Sequence, residues 1–143
     1  MSGLVLKLRP AERVLINGVV IENGDRRSRL NILTPNANIL RLRDAIHPSE
    51  ASTPVTRVCY LAQLILAGEA DEEKGRAQLL DGLGQLAFVF NDGSAHDILM
   101  EATAHAKASM IYQCLRALKS LRTIEVTLFA KSDVGRVPQP TDA

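Results

Sequence analysis

Asn17-Gly18 lies between two apolar runs, Arg13-Val14-Leu15-Ile16 and Val19-Val20-Ile21, and no other short stretch constrains the fold as much. Both turn residues tolerate positive φ, which a two-residue hairpin between twisted strands requires, so the runs fold back on each other as antiparallel strands. The flanks repeat the pattern. Upstream, Leu4, Leu6 and Leu8 alternate with Val5, Lys7 and Arg9, the period of a half-buried strand, and Pro10-Ala11-Glu12 turns the chain. Downstream, Asn23-Gly24-Asp25 marks another tight turn, followed by a fourth strand in which Arg27, Arg29 and Asn31 alternate with Leu30 and Ile32. Thr34-Pro35-Asn36-Ala37 ends it. A fifth strand over 39–43 puts Leu40 and Leu42 on one face and Ile39, Arg41 and Arg43 on the other. The prediction is a small N-terminal antiparallel five-stranded sheet. A sheet this short buries too little apolar surface to stand alone and needs covering helices or a partner subunit.

From Pro48 onward the period changes to that of helices. Thr53-Pro54 is a helix start, with Thr as N-cap and Pro at the first helical position, and an apolar stripe runs from Val55 to a stop at Gly68. A second helix is expected over 71–90, in which Gly82 and Gly84 lower intrinsic helix stability but permit close contact. A third is expected over 94–122, with Ser94 and Asp97 forming its capping box. Residues 124–129 fit either a short strand or an extension of that helix. The fold class is therefore α+β. Its organisation is a basic β-sheet module over 1–47, a three-helix region over 48–130 that covers the sheet or forms an interface, and a flexible tail over 131–143.

Charge separates the two halves. Residues 1–47 hold eight Lys/Arg against four Asp/Glu, while residues 48–143 hold nine against twelve. Seven of the eight N-terminal cations are Arg, whose planar fork matches phosphate and the O6/N7 edge of guanine. The pairs Lys7 and Arg9, Arg27 and Arg29, and Arg41 and Arg43 are each spaced i, i+2, so each pair shares a strand face. Solvated strand faces often carry such charges simply to block edge-to-edge aggregation. The Arg bias and the same-face spacing over several strands favour nucleic acid instead, with Lys7, Arg9, Arg13, Arg27, Arg29, Arg41 and Arg43 as the contact residues. This sheet has no aromatic residue, so bases cannot stack on it. Recognition must work through Arg forks, backbone groups and phosphate neutralisation.

Other chemistries find little support. The chain has no Gly-rich phosphate loop, GxSxG or HExxH motif. Asp97, Glu101 and His105 line one helical face at i, i+4 and i+8, a spacing able to hold a metal, but a solvated polar face is far the commoner outcome. His47 and His96 sit beside element ends and read as local hydrogen-bonding residues. Cys59 and Cys114 lie in apolar helical surroundings with no zinc-ligand spacing and read as buried reduced thiols. With no signal-peptide pattern and no apolar run long enough to span a bilayer, a cytoplasmic, non-enzymatic protein without cofactor or membrane contact is expected.

The words Gly3-Leu-Val-Leu-Lys-Leu-Arg-Pro-Ala-Glu-Arg-Val-Leu-Ile-Asn-Gly18, Asn23-Gly-Asp-Arg-Arg-Ser-Arg-Leu30 and Thr53-Pro-Val-Thr-Arg-Val58 resemble the flagellum biosynthesis repressor FlbT family. The resemblance implies post-transcriptional control of flagellin synthesis at the 5′ untranslated region of flagellin mRNA, with FlaF as a partner. A fainter similarity links residues 4–18 and 37–46 to the carbon storage regulator CsrA family, small dimeric RNA-binding sheet proteins. That match makes Arg43 the leading RNA contact and Arg9 the next. Here Leu42 separates two arginines and a long helical region follows, so the helices are left to cover the sheet, form a homodimer or dock FlaF. The rival reading is a chaperone or adaptor that holds FlaF or flagellin and touches no RNA, based on the apolar excess of residues 55–66 and 79–90.

Overall fold

The computed structural model describes residues 4–135. Five strands lead: β1 (Leu4–Leu8), β2 (Arg13–Ile16), β3 (Val19–Glu22), β4 (Ser28–Ile32) and β5 (Ile39–Arg41). They form two sheets rather than one. β1 pairs antiparallel with β4, and a separate sheet has the order β3-β2-β5. The Asn17-Gly18 hairpin forms as expected, with φ of 48° and 85° and Ile16 opposite Val19. What local pattern could not foresee is that β1 makes no ladder with β2. Ala11 takes φ 59° directly after Pro10 and redirects the chain, so β2 joins the second sheet while β4 returns to β1.

The predicted fifth strand also ends early. β5 stops at Arg41, and Leu42–Asp44 forms a 3-10 turn closed by the Ala45 N–H on the Leu42 carbonyl. Ile39 and Leu40 are both buried, so β5 is covered on both faces instead of one. The segment after it is fixed to the helices. The Gln63 side chain donates to the Ile46 carbonyl and accepts from the Ile46 N–H, at 3.0 and 2.8 Å.

Four helices follow: α1 (Pro54–Leu66), α2 (Glu72–Val89), α3 (Gly93–Lys107) and α4 (Ile111–Gly135). α1 starts on the Thr53 cap with Pro54 first, as the sequence signals. The long third helix predicted over 94–122 is broken at Ser109, which takes φ 60°. The Ser109 N–H donates to the Ala106 carbonyl and the Met110 N–H to the His105 carbonyl, a Schellman ending with Ser where Gly is usual. Asp92, not Ser94, is the N-cap of α3. Residues 124–129 belong to α4, and the part of the expected tail over 136–143 lies outside the described residues.

The helices pack in a closed ring, each touching two others: α1 on α2, α2 on α3, α3 on α4 and α4 on α1. Two glycines of α2 let α1 approach. A Cβ on Gly75 would lie 2.8 Å from Ile65 Cγ1, and one on Gly82 would lie 3.1 Å from Val58 Cγ2. Gly84 has open space around it and plays no such part. Leu6, Leu8, Val14, Ile39 and Leu40 from the strands join Val55, Leu79, Leu99 and Leu118 from the helices in one apolar core. The strands are thereby backed by the bundle, which supplies the cover a small sheet lacks by itself.

Candidate nucleic-acid interface

β1 and β4 place their polar side chains outward because Leu6 and Leu8 are drawn into the core and alternate residues must face the other way. The register sets Lys7 directly opposite Arg29. Like charges across an antiparallel pair repel, so this arrangement weakens the sheet unless an anion meets it. Arg9 lies just past the end of β1 and Arg27 just before β4, extending the same outer surface. Asn23 fixes the backbone there. Its Nδ2 donates to the carbonyls of Arg9 and Arg26, each at 2.8 Å, and its Oδ1 accepts from Ser28 Oγ at 2.6 Å.

Arg41 and Arg43 arrive from β5 and the 3-10 turn, around the carboxylate of Glu12. Glu12 Oε1 accepts the Arg9 N–H at 2.9 Å, while Oε2 lies 3.7 Å from Arg41 Nε and 3.6 Å from Arg43 Nε. The Glu12 side chain is 5% exposed, and among the described residues neither its Oε2 nor Arg41 Nε has a hydrogen-bond partner. The attraction between these groups is therefore Coulombic, in a site where burial reduces solvent screening. Arg41 is itself only 11% exposed, and its Nη2 donates to the Lys7 carbonyl at 2.6 Å. That side chain is a structural tie between the two sheets as well as a charge. Arg43 is more open, at 36%.

Lys7, Arg9, Arg27, Arg29, Arg41 and Arg43 line one open groove of about 630 Å³, completed by Leu8 and Ser28. Six of the seven cations singled out from the sequence thus meet in one place. Arg13 does not: its Nε donates to Glu22 Oε1 at 2.8 Å across the β2–β3 pair, outside the groove. Among the described residues, Lys7, Arg9, Arg27 and Arg29 pair with no carboxylate, and all four are exposed. No aromatic side chain lines the groove. The arrangement can neutralise several phosphates and present guanidinium forks to base edges, but it offers no stacking platform.

Two contributors escaped the sequence reading. Glu12 looked like a turn residue, and an acidic residue inside a basic module was the only hint that it gathers arginines. Asn23 looked like ordinary turn chemistry, though its amide organises the groove rim. Elsewhere, Glu101 and His105 border a small polar hollow between α3 and α4 with Gln113 and Arg116. Among the described residues no group of three His, Cys, Asp or Glu side chains is placed to hold a metal ion. His47 caps the short 3-10 helix Pro48–Glu50, its Nδ1 accepting the Ser49 N–H, and His96 Nδ1 lies 3.2 Å from the Phe90 carbonyl. Cys59 and Cys114 are free and buried, and burial pushes both thiols up to about 12. Among the described residues no helix is long and apolar enough to cross a membrane.

The chain matches the family described as flagellar protein FlbT over residues 4–129. It is similar to the probable flagellum biosynthesis repressor protein FlbT of Caulobacter sp. strain K31, 31% identical over 121 residues, which covers 85% of this chain and 89% of that one. It is also similar to the flagellum biosynthesis repressor protein FlbT of Caulobacter vibrioides strain CB 15, 27% identical over 118 residues, 82% of this chain and 83% of that one. The probable FlbT of Mesorhizobium japonicum is 28% identical over 140 residues, covering 97% and 94% of the two chains. No solved structure matches. The match spans both the strands that build the groove and the bundle behind them, and the chain belongs to the flagellar protein FlbT family.

Proposed function

We propose that this protein is a non-enzymatic, post-transcriptional regulator of flagellin synthesis that binds the 5′ untranslated region of flagellin mRNA in the cationic groove. The names of its relatives, flagellum biosynthesis repressors, support the regulatory part. The observation that carries the RNA part is the set of four exposed cations, Lys7, Arg9, Arg27 and Arg29, unpaired among the described residues and held on one surface with Lys7 facing Arg29. The phosphates of an RNA strand relieve that repulsion. The test is binding of a flagellin leader RNA to wild type and to the Arg27→Gln/Arg29→Gln variant. A clear loss in the variant supports the groove; equal affinity removes it as the RNA site.

A second reading, an adaptor that docks FlaF or flagellin, keeps one supporting observation. Most of the apolar excess in 55–66 and 79–90 is consumed by the core, but Phe88 is 85% exposed and Val89 62% at the end of α2. Two adjacent apolar side chains left in solvent fit a protein contact. Phe88→Ser should then weaken FlaF or flagellin capture while leaving RNA binding unchanged.

A further inference from the structure

We propose, resting on the groove reading above, that the bound RNA strand leaves the groove across Arg43 and continues onto α4, where Lys119 and Arg122 take further phosphates. Arg43 borders two hollows at once. One is the cationic groove, and the other is a cleft of about 210 Å³ between the 42–46 segment and helices α1 and α4. Asp44, Lys119 and Arg122 line that cleft, with Cys59 and Leu115 among its apolar neighbours. Lys119 and Arg122 stand three residues apart on α4, so they project from one helix face and follow Arg43 as a continuing line of positive charge.

The join is rigid. Gln63 holds Ile46 through both its backbone groups, and Lys119 Nζ donates to Asp44 Oδ1 at 2.8 Å, tying the 3-10 turn that carries Arg43 to α4. Asp44 also lies 4.0 Å from Arg43 Nε, so it sits between the two cations and holds them in place before RNA arrives. The Lys119 side chain is 46% exposed, so a phosphate can reach its ammonium with the Asp44 pair in place, and among the described residues Arg122 pairs with no carboxylate. Glu50, the other acid of the cleft, is engaged with the His47 N–H at 2.8 Å.

The test uses the full-length chain with a flagellin leader RNA and with the shortest fragment of that leader that still binds. Arg122→Gln, which leaves the Lys119–Asp44 tie intact, should make the salt dependence of leader binding shallower by about 0.7 in log K against log salt, one phosphate of a single strand. Binding of the short fragment, held by the groove alone, should not change. Loss of equal size on both RNAs, or on neither, overturns the extended path and leaves the groove reading standing. Failure of wild type to bind either RNA removes the groove reading and this one with it. Ultraviolet crosslinking of wild type to the leader needs no variant: crosslinks in the α4 peptide containing Lys119 and Arg122 support the path, and crosslinks confined to the strands contradict it.

Discussion

Arg41 reaches from β5 to donate a 2.6 Å hydrogen bond to the carbonyl of Lys7 on β1, joining two sheets that share no ladder. The same guanidinium lies against the buried Glu12 carboxylate. Removing it therefore breaks a buried charge pair and a tie between sheets together. Arg41→Ala should cost about 3 kcal/mol of folding stability, the scale of a broken buried pair. Arg27→Gln and Arg29→Gln, on exposed side chains that pair with no carboxylate among the described residues, should each stay within about 0.5 kcal/mol of wild type. Urea unfolding of the three variants separates them, and an equal response would show that Arg41 is no more structural than its neighbours.

Glu125 ties the far end of the bundle to the start of α1. Its side chain is buried, Oε1 accepts from Thr53 Oγ1 at 2.6 Å, and Oε2 accepts the Val55 N–H at 3.0 Å. Glu125→Ala leaves a buried amide without a partner and a cap hydroxyl without its acceptor. A loss of about 2–3 kcal/mol is expected, read as a lowered urea midpoint with an unchanged slope.

The glycines of α2 should respond in opposite directions. Gly84→Ala meets open space and gains about 1 kcal/mol from helix propensity. Gly75→Ala drives a methyl to within 2.8 Å of Ile65 and should destabilise despite the same propensity gain. Thermal melts of the two variants, moving apart from wild type, would establish the close α1–α2 approach.

The thiols give a pH dependence of known sign. Burial raises Cys59 and Cys114 from the usual 9.0 to about 12, the nearby Arg122 cation only partly offsetting the effect at Cys59. Unfolded thiols ionise first as pH rises, so this contribution to stability is full below about pH 9 and is lost as pH climbs toward about 12. Replacing both with Ala should flatten the fall in stability over that window. At about pH 8, an alkylating reagent should label neither thiol in the folded protein and both in urea.

Local signals carried the parts of the fold that depend on neighbouring residues. Asn17-Gly18, Thr53-Pro54 and Gly68 mark a hairpin, a helix start and a helix stop through backbone chemistry that acts within a few residues. The two-sheet arrangement depends on long-range pairing that alternation does not encode, and the break at Ser109 hides because a serine stands where glycine usually signals it. The cationic surface was legible as period-two spacing of Lys7, Arg9, Arg27 and Arg29. The distinct role of Arg41 was not, because the burial and the Glu12 partner that define it come from residues remote in the chain. Lys119 and Arg122 were obscured for a related reason: they lie in the half of the chain with excess acid, and only the fold brings them beside Arg43.

The most direct measurement is the affinity of the wild-type protein for a flagellin leader RNA across a range of salt concentrations, repeated with Arg27→Gln/Arg29→Gln. If the groove cations neutralise phosphates, log K should fall against log salt with a slope of about −3 or steeper for wild type, about 0.7 for each of the four exposed cations, and shallower by about 1.4 in the variant. A slope near zero, or one that the two substitutions leave unchanged, would contradict the account.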